Sequence, residues 1–128
     1  MHHFRAYYAS IEIMNKIKIN KKYQHDYIGH HYGLYSMYPL KNCQQVECDR
    51  DAVVQWDIAL WNNKLYDEKL LGCIVKEQHI SQPTVIISWK KKDQNSPHLS
   101  GYCEKHTRYL EQCQIVLSEQ DYFIFSSF

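Results

Sequence analysis

Runs of apolar residues with helical or alternating spacing divide the chain into a small set of predicted elements. Residues 49–62 carry apolar positions at helical spacing and predict the clearest α-helix of the chain. Residues 70–75 and 84–89 are short, β-branched apolar runs separated by a polar linker that contains Pro83. Runs of this length and composition predict two strands.

The remaining segments give weaker patterns. Residues 28–37 are rich in tyrosine and predict a third strand. Residues 4–19 combine a helix-like start with an isoleucine alternation typical of a strand, and both interpretations stay open. Residues 114–117 and 122–125 predict a terminal hairpin. Together these elements predict an α+β fold over residues 1–128, a single domain with a small antiparallel sheet packed by one or two helices.

The apolar positions of the 49–62 helix also predict which side faces the core. Val53, Trp56 and Leu60 form one stripe and are expected to be buried. Trp61 lies off that stripe, and we interpret it as a candidate anchor for a partner protein.

Composition narrows the class of protein. The 128 residues are 45% hydrophobic and include eleven tyrosines, which argues against disorder. The net charge of +1 gives no bulk attraction for nucleic acid. Five cysteines lack the spacing of a disulfide framework and predict a reducing compartment, with Cys73 in the core. Since no apolar run approaches the length of a membrane span, we expect a soluble intracellular domain without a transmembrane segment.

A histidine and a cysteine within residues 29–51 carry the candidate chemistry. His31 opens the predicted strand, and Cys43 follows Asn42, a good helix N-cap. A cysteine at a helix start faces free backbone N–H groups and the positive end of the helix dipole, which both favour the thiolate. An imidazole nearby can then act as base, and the N–H groups can stabilise an oxyanion. The pattern predicts thiol-dependent acyl transfer.

The same residues resemble two motifs of one protein family. His31-Tyr32-Gly33-Leu34-Tyr35 is similar to the H-box, and Asn42-Cys43 to the NC motif, of the lecithin:retinol acyltransferase-like proteins. That family includes cellular phospholipase/acyltransferases and the H-box/NC type of picornavirus 2A protein. The small size and the Lys-, Asn-, Ile- and Tyr-rich composition resemble the parechovirus-like 2A proteins more closely. The resemblance covers about twenty of the 128 residues.

The resemblance implies both a fold and a function. The implied fold is a compact or permuted relative of the NlpC-type and lecithin:retinol acyltransferase-like folds. The implied function is that of a non-structural, non-proteolytic viral protein in the host cell cytoplasm, which supports replication or binds a host protein, other viral replication components or RNA. Cys43 is the nucleophile and His31 the base in such a site, beside the motif residues Tyr32, Gly33 and Asn42. No cofactor and no metal are implied.

The spacing of the two motifs argues against an active pair. Only twelve positions separate His31 from Cys43. Residues 32–38, if extended, span roughly 23 Å, whereas a base and its nucleophile need hydrogen-bond reach. Without a sharp reversal near Gly33 the pair is vestigial, and an inactive protein is favoured. The alternative is an active thiol acyltransferase or phospholipase-like hydrolase in which His31, His79 or His98 serves Cys43.

Two further groups of residues suggest other functions. A basic run follows Trp89 and predicts an RNA-binding patch if it shares a surface with the lysines of residues 16–22. This run consists of Lys90, Lys91 and Lys92. The only candidate zinc set has a spacing that matches no standard pattern, so no metal is predicted. Its members are His98, Cys103, His106 and Cys113.

Overall fold

The computed structural model describes residues 2–76, 81–90, 113 and 122–127. Its helices are α1 (His2–Ile19), a 3₁₀-helix (Lys21–Tyr27) and α2 (Arg50–Asp67). Its strands are β1 (Gly29–Tyr32), β2 (Leu71–Val75), β3 (Thr84–Trp89) and β4 (Tyr122–Ser127), which form one antiparallel sheet in the order β1-β2-β3-β4. The predicted α+β class with a small antiparallel sheet is confirmed. None of the described helices combines the length and apolar composition of a membrane span.

The segment 4–19, which the sequence left open, lies within a single helix. The buried residues of α1 recur every three or four positions, as a helix face requires. They are Ala6, Ala9, Ile13 and Ile17. The isoleucine alternation is misleading because Ile11 and Ile19 lie outside this face and are exposed. The strand interpretation of this segment is therefore wrong.

Strands β2 and β3 confirm the predictions for residues 70–75 and 84–89. Their apolar runs are continuous because both faces of the sheet are covered. On one face Ile74, Val85 and Ile87 join the main core with the helices. On the other face a second cluster contains Ile86. Strand β4 confirms the strand predicted over residues 122–125 and pairs with β3. Residues 114–117, the other half of the predicted hairpin, lie outside the described residues, so the hairpin stays a prediction.

Strand β1 is shorter than the predicted strand of residues 28–37, because the chain turns at Gly33. Gly33 has a positive φ of 85°, a conformation that favours glycine. A Cβ atom at this position would also collide with the Leu70 carbonyl oxygen. The prediction of a strand is therefore wrong beyond Tyr32, where the chain leaves the sheet.

Helix α2 begins at Arg50 and ends at Asp67, beyond the predicted end at residue 62. The Asp49 side chain caps it by accepting a hydrogen bond from the Ala52 N–H at 2.9 Å. The side of α2 that faces the main core contains Val54, Ile58, Trp61 and Leu65.

The core-facing side of α2 is therefore not the predicted one. Leu60 is 50% exposed, whereas Trp61 is only 2% exposed. The tertiary contacts of Trp61 explain the difference, since its Nε1–H donates to the Ala9 carbonyl at 2.8 Å. Its ring also packs against Gly72, where a Cβ would lie only 3.0 Å from the ring. Both the burial of Leu60 and the partner-anchoring role of Trp61 were wrong predictions.

Candidate functional site

The sulfur of the predicted nucleophile, Cys43, is bonded to the sulfur of Cys48. We name this pair the loop disulfide. A sulfur atom in a disulfide carries no thiolate with which to attack an acyl carbon. Residues 42–46, which could have been a separate turn or part of the predicted helix, form an isolated turn that ends before α2 begins. Asn42 caps this turn, where its Oδ1 accepts from the Gln44 N–H at 3.0 Å. The expected thiolate at a helix start is therefore not present.

A second disulfide joins Cys73 of β2 to Cys113, and we name it the sheet disulfide. The core position predicted for Cys73 is confirmed, since this residue is fully buried. The expectation that the cysteines form no disulfide framework is wrong for four of the five. Disulfides persist in oxidising compartments, so these pairs do not support the expected reducing one.

The loop between β1 and α2 leads Cys43 away from the end of β1. Its first residue, Gly33, donates its N–H to Asn62 Oδ1 at 2.6 Å. Farther along, Cys43 Sγ lies 3.7 Å from the carbonyl oxygen of Ala52. Ten residues of helix separate Ala52 from Asn62, which corresponds to about 15 Å along the axis. The turn at Gly33 therefore directs the loop along α2 towards its start, and it does not fold Cys43 back onto β1.

His31, Tyr32 and Gly33, which resemble the H-box, differ in their exposure and contacts. His31 is exposed on β1, and its ring makes an edge contact with His30 at 6.4 Å between centroids. Tyr32 is buried and packs edge to face on Trp61, with 5.3 Å between the ring centroids. Burial raises the pKa of the Tyr32 hydroxyl, which donates to the Tyr27 carbonyl at 2.7 Å. Tyr32 and Gly33 therefore stabilise the fold.

The remaining predicted site residues divide into two groups. Lys90 is described and lies exposed just after β3. His79 and His98, the alternative bases, lie outside the described residues, together with Lys91 and Lys92. Their roles stay predictions.

Two adjacent asparagines of α2 hold the backbone of the loop formed by residues 33–48. Asn62 accepts from the Gly33 N–H and donates through Nδ2 to the Tyr35 carbonyl at 2.7 Å. Asn63 accepts from the Met37 N–H and donates to the Met37 carbonyl, both at 2.7 Å. Each carboxamide therefore binds loop backbone through an acceptor and a donor at once, as a neighbouring strand does. The first half of the loop is fixed by these four bonds.

A polar cluster around the buried residues Asn20, Tyr27 and Asp57 fixes the elements on both sides of the loop. Arg50, the first residue of α2, donates to Asn20 Oδ1 at 2.7 Å, and Asn20 Nδ2 donates to the Tyr27 hydroxyl at 2.8 Å. Tyr27 in turn donates to Asp57 Oδ2 at 3.2 Å, and Lys16 lies 3.8 Å from the other carboxylate oxygen. Burial raises the pKa of Tyr27 to about 12. The hydroxyl is therefore neutral and remains a donor.

The side chains of the loop are exposed although its backbone is fixed. Tyr38 is 90% exposed and Leu40 is 99% exposed, and Tyr35 also points mostly into solvent. Pro39, between them, restricts the backbone further through its fixed φ. The loop thus presents apolar and aromatic groups on a short segment whose backbone is held on one side at Met37 and on the other by the loop disulfide at Cys43, an arrangement suited to recognition.

One sequence signal could have revealed this loop. Asparagine favours caps and turns over helix interiors, because its side chain competes for backbone hydrogen bonds. Two consecutive asparagines in the second half of a predicted helix therefore indicate a tertiary role. Neither Asn62 nor Asn63 was among the predicted site residues.

Comparison of the chain with protein-family models, with curated proteins and with solved structures found no match.

Proposed function

We propose that the chain is a non-catalytic protein-binding module whose loop of residues 33–48 docks onto a partner protein. The observation that carries the proposal is the pair of asparagines that hold the loop backbone while Tyr35, Tyr38 and Leu40 remain exposed. An apolar side chain that is fully exposed gains nothing for the fold, whereas burial in a partner's pocket is favourable.

The rigidity of the loop favours affinity. Ordering a flexible loop at an interface costs free energy for each immobilised segment, and a loop that is already ordered avoids most of that cost. The loop disulfide between Cys43 and Cys48 likewise restricts the backbone in the second half of the loop. Tyrosine is also well suited to such a surface, because it offers a large contact area with only two side-chain torsions to immobilise.

The charges around the loop indicate the chemistry of the partner. The loop of residues 33–48 contains one lysine, Lys41, next to Leu40, and one glutamate, Glu47, near its far end. A partner that complements the part of the loop around Tyr38 and Leu40 has an apolar pocket for these two side chains, with a carboxylate at the rim near Lys41. Charges at the rim of such an interface chiefly affect association rate and specificity, whereas the buried side chains dominate affinity.

The resemblance to the H-box/NC type of picornavirus 2A protein fits this proposal in one respect. It implies a protein without proteolytic activity that binds a host protein, and such a function needs no thiolate at Cys43. The finer fold, a compact NlpC- or lecithin:retinol acyltransferase-like domain, also belongs to the proposal. Its support is the α+β class together with the motif residues His31, Tyr32, Asn42 and Cys43.

Photo-crosslinking tests the proposed surface. The photoreactive amino acid p-benzoylphenylalanine replaces Tyr38 in one variant and Tyr66, an exposed tyrosine of α2, in a matched control. Both variants are irradiated in an extract of the cells in which the protein occurs. A protein crosslinked at position 38 but not at position 66 is then produced recombinantly, and its affinity for the purified chain is measured.

The affinity measurement decides the outcome. We expect Tyr38→Ser combined with Leu40→Ser to raise the Kd at least about thirtyfold, equivalent to about 2 kcal/mol. Tyr66→Ser should leave the Kd unchanged. An unchanged Kd in the double variant would refute the surface. Flotation of the wild-type chain with phosphatidylcholine and phosphatidylserine vesicles, abolished in the double variant, would instead assign the loop to a membrane surface.

A separate assay addresses the active-hydrolase alternative. The oxidised chain should not hydrolyse p-nitrophenyl acetate or a short-chain phosphatidylcholine faster than a Cys43→Ala, Cys48→Ala variant does. Hydrolysis by the wild type that disappears in this variant would overturn the non-catalytic assignment.

A further inference from the structure

The outward side of α1 carries an apolar stripe with the spacing of a coiled coil. Phe4, Tyr8 and Ile11 follow one another at intervals of four and three residues, and Asn15 continues the same spacing. Such a repeat keeps its members on one side of a helix that pairs with another helix. We infer that this stripe binds the same stripe of a second copy of the chain, so that two α1 helices pack antiparallel around a two-fold axis.

The stripe points away from the protein core. The buried face of α1 is formed by Ala6, Ala9, Ile13 and Ile17, and the stripe lies on the opposite side of the helix. Phe4 is 54% exposed and Tyr8 is 63% exposed, although both are large aromatic residues. More than half of the surface of each of these two residues is therefore accessible to a partner.

Charge complementarity selects the second copy and its direction. In heptad terms Tyr8 occupies position a and Ile11 position d, which puts Arg5 and Glu12 at successive e positions. When two identical helices pack antiparallel, the e positions of one face the e positions of the other. A two-fold axis between residues 9 and 10 aligns Tyr8 with Ile11 of the other copy and leaves Arg5 of each copy only about 3 Å along the axis from Glu12 of the other. In a parallel arrangement each e position would instead face a g position of the partner, so Glu12 would lie beside Tyr7 and the charge pairing would be lost.

The size of the stripe is consistent with a weak dimer. Three aromatic residues, Phe4, Tyr7 and Tyr8, are each about half exposed. Since an aromatic side chain buries about 150–250 Å² when covered, they leave about 300 Å² for a partner helix to cover. Ile11 and the aliphatic parts of Arg5 and Glu12 add to this area. Two copies would bury about 600 Å² of aromatic surface together, which is below the roughly 1,000 Å² of a stable interface, so the association should be weak.

Sedimentation velocity over a wide range of protein concentration tests the inference through charge reversal. Arg5→Glu alone places carboxylate against carboxylate at both ends of the interface, and Glu12→Arg alone places guanidinium against guanidinium. Each single variant should raise the dimer Kd about tenfold at low ionic strength, and the double exchange should restore the wild-type value. Tyr8→Arg should raise the Kd at least about thirtyfold.

Two control variants make the result specific. Glu12 also forms an ion pair with Lys64 of the same chain at 3.1 Å, so Lys64→Ala separates loss of that pair from loss of the dimer contact. The combination of Tyr38→Ser and Leu40→Ser disrupts the proposed docking loop and should leave the dimer Kd unchanged. Circular dichroism establishes that each variant is folded.

The direction of packing has its own measurement. With p-benzoylphenylalanine in place of Phe4, an antiparallel dimer should crosslink to the partner copy near residue 15. Crosslinks to the partner near residue 4 would refute the antiparallel arrangement. A chain that sediments as a monomer at all concentrations, or a double exchange that fails to restore association, would overturn the inference.

Discussion

Replacement of Asn62 by alanine tests the central feature of the loop, its attachment to α2. Asn62 is 1% exposed, and its carboxamide both accepts from the Gly33 N–H and donates to the Tyr35 carbonyl. Alanine supports neither bond. Gly33 is itself buried, so its N–H would lose a partner at a place that water does not readily reach.

The magnitude follows from these contacts. Each hydrogen bond contributes about 1 kcal/mol net, and a buried donor without a partner costs a further 1–3 kcal/mol. We therefore expect Asn62→Ala to lower the free energy of unfolding by about 3 kcal/mol. With a urea m-value of about 2 kcal/mol/M, the midpoint of unfolding should fall by about 1.5 M.

Asn63 provides a matched control in the next position of the same helix. It makes the same two kinds of bond, to the N–H and carbonyl of Met37, but these lie at the exposed surface. Water replaces the lost partners there, so Asn63→Ala should cost about 1 kcal/mol or less.

Urea unfolding followed by tryptophan fluorescence measures both losses, and hydrogen exchange of the loop amides shows where they act. The Gly33 amide should lose protection in Asn62→Ala and keep it in Asn63→Ala. Equal losses of stability in the two variants would refute the reasoning, because burial is the only difference on which it depends.

Three further predictions concern the rest of the fold. The loop disulfide closes a sequence interval of 5 residues and the sheet disulfide one of 40 residues. Replacing both cysteines by alanine should therefore lower the free energy of unfolding by about 2 kcal/mol for the loop disulfide and about 4 kcal/mol for the sheet disulfide, measured by urea unfolding. The reverse order would contradict the explanation by chain entropy. Because the pKa of Tyr27 is raised to about 12, its contribution to stability is present below pH 10 and lost as the pH rises towards 12. The stability difference between wild type and Tyr27→Phe should therefore shrink across that interval, and a constant difference would count against it. Gly72→Ala should cost about 1–3 kcal/mol in thermal or urea unfolding, since its Cβ would lie 3.0 Å from the Trp61 ring, and a neutral effect would show that the ring moves aside.

Elements whose pattern is fixed by burial on both sides were predictable from the sequence. The runs that became β2 and β3 are apolar throughout, and no competing helix pattern exists in so few residues. Helix α1 was ambiguous because two exposed isoleucines add a false alternation to a true helical spacing. The sequence alone does not decide between the two interpretations, because the buried face of α1 is determined by its packing on the sheet. That packing buries Ala6 and Ala9 and leaves Ile11 and Ile19 exposed.

The face of α2 was not predictable from periodicity. Two adjacent stripes of this helix are apolar, one with Leu60 and the other with Trp61. The choice between them depends on a hydrogen bond to Ala9, 52 positions away, and on the missing side chain of Gly72. Both are tertiary contacts, and neither leaves a periodic signal.

The candidate site shows most clearly that a local motif does not contain the path of the chain between its residues. Because only twelve positions separate His31 from Cys43, the two side chains could meet only if the chain reversed near Gly33. The chain does turn at Gly33. The turn does not bring them together, because Asn62 and Asn63 then hold the chain along α2 towards its first turn. Cys43 instead forms a disulfide with Cys48, five positions later, which the separate turn of residues 42–46 brings close to it. The residues that direct the loop lie some thirty positions from the motif, so motif spacing alone contains no information about where Cys43 comes to lie.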